Sequence, residues 1–136
     1  MIRRAGSEDI AALLGVLKKV YAEHEFDWQF DPVFLSVSLA NAIADSNNLV
    51  LIGDGSMLWA SAFDSPLGAG RVALEHVIRA AEPGQFSEIL SAYEEWARSR
   101  GCVKLALGCV RSHRAFERLY ARAGFCVGET WFEKSL

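Results

Sequence analysis

The stretch RVALEHVIRAAEPGQFSEILSAYEEWARSRGCVKLALGCV, residues 71–110, decides the fold. Its first nine residues alternate. Val72, Leu74 and His76 fall on one face of a strand, and Ala73, Glu75 and Val77 on the other. Ala81-Glu82-Pro83-Gly84 reads as a turn. Phe86, Ile89, Leu90, Tyr93, Trp96 and Ala97 then recur at helical spacing, which predicts a long helix to about Arg100. Gly101 closes it, because glycine enters the left-handed region without a Cβ penalty. The run from Val103 to Val110 reads as a buried strand. A strand, a helix and a strand in this order make a right-handed crossover between parallel neighbours.

Upstream, Asn48–Gly53 and Ser56–Asp64 are two β-like runs around Asp54-Gly55, a strong hairpin signal that demands antiparallel pairing. Before them stand two helical patterns. The first has Ser7 as its expected N-cap, Glu8 and Asp9 in its first turn, and Ile10, Leu13, Leu14, Leu17 and Tyr21 on one face, to about Glu23. The second starts with the cap pair Asp31-Pro32 and carries Leu35, Leu39 and Ile43 to about Asp45. The aromatic segment from His24 to Phe30 has no clear period and reads as a loop or broken helix. Met1 to Arg4 is a short first strand. Downstream, a helix from about Ser112 to Ala123 is closed by Gly124, and Phe125 to Lys134 supplies a final strand or strand pair. The expected architecture is α/β (α+β): a mixed, mostly antiparallel central sheet with helices on both faces, in one domain over residues 1–136.

Composition narrows the function. With 51% hydrophobic and 23% charged residues, the chain suits a packed core rather than disorder. Its net charge of −3 argues against a nucleic-acid backbone as partner. No apolar run follows Arg3 and Arg4, so no signal peptide is expected, and no stretch approaches a membrane span. Cys102, Cys109 and Cys126 fit neither a disulfide framework nor a zinc site; reduced core thiols in a cytoplasmic protein are the better reading, and no metal is expected.

Several pieces resemble the Gcn5-related N-acetyltransferase family. Tyr93-Glu94-Glu95-Trp96-Ala97-Arg98-Ser99-Arg100-Gly101 looks like the end of its central helix. His113-Arg-Ala-Phe-Glu-Arg-Leu-Tyr-Ala-Arg-Ala-Gly-Phe125 is similar to its pattern of Asn, two residues, Ala, two residues, Leu-Tyr, three residues, Gly-Phe. Ile2-Arg-Arg-Ala with Asp9-Ile10 fits its opening, and Trp131 to Leu136 its closing strand. The resemblance covers nearly the whole chain, and Leu119-Tyr120 to Gly124-Phe125 is its most specific part.

The resemblance implies a fold in which two central strands splay and the pantetheine of acetyl-CoA lies in the opening. Here that places Val77, Ile78 and Arg79 along the arm. Gly84 and Gln85 fall at the pyrophosphate, and His113 and Phe116 on the following helix. Acetyl-CoA is then a co-substrate, and a primary amine of a small molecule or protein is the acceptor. Tyr120 becomes the acid that protonates the leaving thiolate. Glu75 and His76 are the candidate bases; strand alternation puts them on opposite faces, so at most one meets the substrate. His24, Trp28 and Phe30 fall where the family builds its acceptor wall. A monomer or homodimer is implied.

The sequence departs from the family at the phosphate loop. Ala81, Glu82, Pro83, Gly84, Gln85 and Phe86 occupy it, and only Gly84 keeps the pattern. Glu82 brings a negative charge, Pro83 removes an N–H, and Phe86 adds bulk. Arg79 or Arg111 are the residues placed to compensate. The arginines at 111, 114, 118 and 122 recur near helical period, as a solvated stripe or as contacts to the 3′-phosphate of CoA. The rival reading is a catalytically silent domain of the same fold that binds another partner.

Overall fold

The computed structural model describes residues 1–24, 26, 28–108, 114–128 and 132–136, with backbone alone for 114–116. Five strands, β1 (Arg3–Arg4), β2 (Asn48–Gly53), β3 (Ser56–Asp64), β4 (Arg71–Arg79) and β5 (Cys102–Ala106), form one sheet in sequence order. The first three pairings are antiparallel and the fourth, β4 with β5, is parallel. The parallel pair is joined by α3 (Pro83–Ser99). Helices α1 (Ile10–Glu23) and α2 (Pro32–Ala44) precede the hairpin, and α4 (Arg114–Arg122) follows β5.

Alternation along the strands sends side chains into two cores. Leu49, Leu51, Leu58, Ala60 and Ala73 pack against Ile89, Tyr93 and Trp96 of α3. Val50, Ile52 and Met57 pack on the opposite face against Leu13 and Leu17 of α1 and Leu35 and Leu39 of α2. Helices thus cover both faces of a mixed, mostly antiparallel sheet. None of the described helices is long and apolar enough to cross a membrane.

Several expected boundaries hold for local reasons. Asp31 caps α2 by accepting the Phe34 N–H at 3.0 Å, with Pro32 opening the helix. Gly55, Gly101 and Gly124 take positive φ of 72°, 73° and 88°, as the hairpin turn and two helix ends require. After α4 the Phe125 N–H reaches the Tyr120 carbonyl and the Gly124 N–H that of Ala121, a Schellman closure.

Other boundaries move. Ser7 is not the first helix cap; Ser7–Asp9 is a 3-10 turn and α1 begins at Ile10. The reason is Asp9, whose carboxylate accepts the Gly6 N–H at 2.8 Å and grips the Arg3 guanidinium through two bonds of 2.7 and 2.8 Å. Those partners pull its pKa down to about 2. Helix α3 begins at Pro83, so Gly84 lies inside its first turn rather than in a preceding loop. Strand β5 ends at Ala106 instead of running on through Leu107 and Gly108. The described residues among 125–134 belong to no strand. A strand exists only beside a neighbour. Val127 and Phe132 stand exposed with no ladder partner.

Candidate active site

Both edges of β4 begin paired. On the β3 side the ladder runs the full length, from Asp64↔Arg71 to Met57↔Arg79. It contains one irregularity: Ala60 opposes Glu75 and Trp59 opposes Val77, so His76 is an extra residue, a β-bulge. On the β5 side the ladder stops at Leu74↔Ala106. Among the described residues no further backbone pair joins the two strands.

Side chains take over the backbone groups of β5 where the ladder ends. The Tyr93 hydroxyl, from α3, donates to the Ala106 carbonyl at 3.0 Å. The Gly108 N–H donates to Glu75 Oε2 at 2.8 Å. The Gly108 carbonyl accepts from the Tyr120 hydroxyl at 3.1 Å. The backbone of one residue, Gly108, therefore holds Glu75 on its N–H and Tyr120 on its carbonyl. A Cβ at Gly108 would lie 3.4 Å from Glu75 Oε2, an ordinary contact. Sequence reading placed Gly108 within a strand and assigned Tyr93 to the core. A lone glycine in a strand pattern was the available signal for an irregularity there.

Burial pushes the Glu75 carboxyl up to about 7, against the lowering effect of the Gly108 N–H. The Tyr93 hydroxyl is also pushed up, first by burial and then by the Glu75 charge. Tyr120 is braced by rings: Phe86 stacks on it at 5.8 Å between centroids, and Phe125 lies at 5.9 Å. The bulk of Phe86 is thus packed against the candidate acid.

His76 faces the other way from Glu75, but the bulge breaks the predicted alternation after it: Val77, expected on the face of Ala73, packs in the opposite core. His76 Nε2 lies 2.7 Å from Ser61 Oγ, and that hydroxyl lies 2.7 Å from Asn48 Oδ1. Asn48 Oδ1 also accepts from the Trp59 Nε1–H, which can only donate. The Ser61 proton therefore points to Asn48, and His76 Nε2 must carry the proton shared with Ser61. Burial lowers the His76 pKa and favours the neutral ring. The structure does not bring His76 to Glu75 and Tyr120.

The far end of β4 leads into the first turn of α3, and this turn is bonded to itself and to β3. The Ala81 N–H donates to Ser56 Oγ at 2.7 Å, and Ser56 donates to Gln85 Oε1 at 2.6 Å. Gln85 Oε1 also accepts the Glu82 N–H at 3.2 Å, while the Gln85 N–H donates to the Glu82 carbonyl at 3.1 Å. Ser56 and Gln85 are both buried. Gln85, expected at a phosphate, instead turns inward. Gly84 sits on the open side, with nothing within 4 Å of where a Cβ would be. Arg79 is also engaged: its guanidinium pairs with Glu23 at 2.8 Å and donates to the Gly55 carbonyl.

The aromatic segment gathers around Tyr21. Phe26 and Phe30 meet the Tyr21 ring edge-on at 4.8 and 5.3 Å, and Trp28 stacks on Phe26 and donates its N–H to the Tyr21 hydroxyl at 3.0 Å. His24 tilts against Phe26. A cavity of about 290 Å³ opens here, with Tyr21, Trp28, Asp31 and Phe34 in its wall. Phe30 and Tyr21 pack into the same core as Val77 of β4. A larger cavity, about 430 Å³, lies between α1 and the hairpin turn, and its Arg3 and Asp9 neutralise each other.

His113, Cys109 and Arg111 lie outside the described residues, and Phe116 and Arg114 are described by backbone alone. Arg118 and Arg122 are exposed. Among the described residues no group of His, Cys, Asp and Glu is placed to hold a metal.

No protein-family model matches the chain, and no curated protein matches it. Solved structures do. A protein of Clostridium acetobutylicum described as an acetyltransferase and solved with acetyl-CoA superposes with a TM-score of 0.77 at 18% identity, over 99% of this chain and 95% of its own. A protein of an Arthrobacter species described as an acetyltransferase gives 0.79 at 21% identity, over 100% and 96%. A protein of Bacillus halodurans described as a transcriptional regulator gives 0.80 at 18% identity, over 100% and 99%. The fold is that of the acetyltransferases. Glu75, Gly108 and Tyr120 stand where the β4–β5 ladder ends.

Proposed function

We propose that the chain moves an acetyl, or another acyl, group from a CoA-type thioester to a primary amine by direct attack. The observation that carries this reading is the Gly108 backbone, whose N–H holds a carboxyl pushed up to about 7 and whose carbonyl holds a tyrosine hydroxyl. The open edge of β4 at Val77, Ile78 and Arg79 suits the amides of the thioester arm, which would pair with it as an added strand does. The amine nitrogen attacks the thioester carbonyl carbon; a C–N bond forms and the C–S bond breaks. The proton lost by the amine passes to the Glu75 carboxylate, directly or through water. The leaving sulfur takes the Tyr120 proton, which solvent restores.

The acceptor is an amine of a small molecule or a protein. The aromatic wall of His24, Trp28 and Phe30, with Tyr21 at its centre, suits a side chain that is apolar or cationic. Free thiols at Cys102 and Cys126 suit a cytoplasmic setting.

Tyr120→Phe tests the assignment. Thiol release in the presence of a primary amine should fall by about 100-fold in kcat, the low end of what a positioned acid supplies, with KM for the thioester unchanged. Unchanged kcat removes Tyr120 from the mechanism. The internally bonded first turn of α3 favours a second reading, a silent domain of this fold that binds no CoA. Absence of any heat on titration with millimolar acetyl-CoA and CoA would select it.

A further inference from the structure

We infer that the acyl donor is recognised by its pantetheine arm and not by a nucleotide pyrophosphate, so that a neutral pantetheine compound binds as well as CoA. This rests on the acyl-transfer reading and narrows its substrate class. An arm lying along the open edge of β4 runs past Arg79 and meets the first turn of α3. A pyrophosphate arriving there needs backbone N–H donors at a helix start, or a cation, or both.

Among the described residues little of either is on offer, and in this turn the Gly84 N–H is the donor left open. The N–H groups of Ala81, Glu82 and Gln85 are taken by Ser56 Oγ, Gln85 Oε1 and the Glu82 carbonyl. Pro83 has no N–H to give. The Arg79 guanidinium is neutralised by Glu23 and fixed on the Gly55 carbonyl. Glu82 adds a negative charge at the entrance. Freeing the Ala81 or Glu82 N–H for a phosphate would break its bond to the buried Ser56 or Gln85 side chain. The two side chains that close the turn are buried parts of the sheet–helix junction. Most donors of the turn are spent internally, and with the Glu82 charge beside them the turn suits the amide-rich arm better than the anionic end of CoA.

The test is calorimetric titration of the full chain with CoA, with pantetheine and with adenosine 3′,5′-bisphosphate, each alone. The expected result is a Kd for pantetheine within about threefold of that for CoA, and no binding of the bisphosphate. CoA binding more than about tenfold tighter than pantetheine overturns the inference and leaves acyl transfer standing. No binding of either overturns the acyl-transfer reading, and the inference with it. A second comparison uses Ser56→Ala with Gln85→Ala, which frees two N–H groups. The preference for CoA over pantetheine should then rise by about tenfold, roughly one charge-assisted hydrogen bond. An unchanged ratio contradicts the claim that these side chains close the turn. If the double variant does not fold, the ratio in the native chain decides alone.

Discussion

The two edges of β4 differ. Against β3 the strand is paired over its whole length, absorbing one bulge at His76; against β5 it is paired only as far as Leu74. Among the described residues the same strand is paired to its end on one side and only over its first half on the other. Periodicity does not make the difference. On the closed side, apolar side chains of β3 and β4 share cores above and below the sheet. On the open side, Tyr93 and Glu75 take the Ala106 carbonyl and the Gly108 N–H just where the ladder stops. A cleft in a sheet therefore needs polar side chains that satisfy the backbone groups it leaves behind.

The contrast can be broken at either edge. The largest effect is expected on the closed one. Leu58 of β3 is fully buried in the α3-side core, and Leu58→Ala should lower stability by about 3–4 kcal/mol in urea unfolding. A loss below about 1 kcal/mol would mean that this seam is held by its ladder rather than by its core.

Next comes Glu75. Its folded pKa, about 7, stands above the ordinary 4.5, so between these values the folded state binds more protons than the unfolded. Stability from this group is complete below about pH 4.5 and falls as pH rises to 7, by roughly 2–3 kcal/mol, then levels off. Glu75→Gln should remove that slope when unfolding is followed at pH 5 and pH 8. In the enzyme reading, the rate rises with pH through the same range, because only the ionised carboxylate accepts a proton. The Gln variant should lose this limb too. A slope retained in Glu75→Gln would place the titrating group elsewhere.

The smallest effect is expected at Tyr93. Tyr93→Phe keeps the ring in the core and removes only the bond to Ala106, at about 1 kcal/mol. Its sharper readout is hydrogen exchange: amides of β5 should exchange faster while those of β3 do not. Equal protection in both strands would show that the hydroxyl has no part in holding the cleft.

Much of this was legible in the residues. The hairpin at Asp54-Gly55, the cap at Asp31-Pro32 and the glycine stops at 101 and 124 are each set by a few neighbouring residues, and each stands in the structure. Tyr120 was singled out through its Leu-Tyr context, and Glu75 through its strand. What failed had a longer reach. Ser7 has the chemistry of a cap, but Arg3 and Gly6 draw Asp9 into a different turn. Val103–Val110 has the composition of one strand, but Glu75 and Tyr93 end it at Ala106. Gln85 looked like a ligand contact at a helix start, but Ser56 draws it inward.

The sequence by itself determined which segments are helix and strand, the antiparallel hairpin, the parallel crossover and the two-faced burial, because these follow from periods of 2 and 3.6 and from turn chemistry within a few residues. Only the tertiary structure decided where the β4–β5 ladder stops, that Gly108 joins Glu75 to Tyr120, and that Gln85 turns inward to Ser56. Those contacts link residues 33, 12 and 29 positions apart. No local pattern records such distances; they arise when packing two cores against one sheet brings remote polar groups within hydrogen-bond reach.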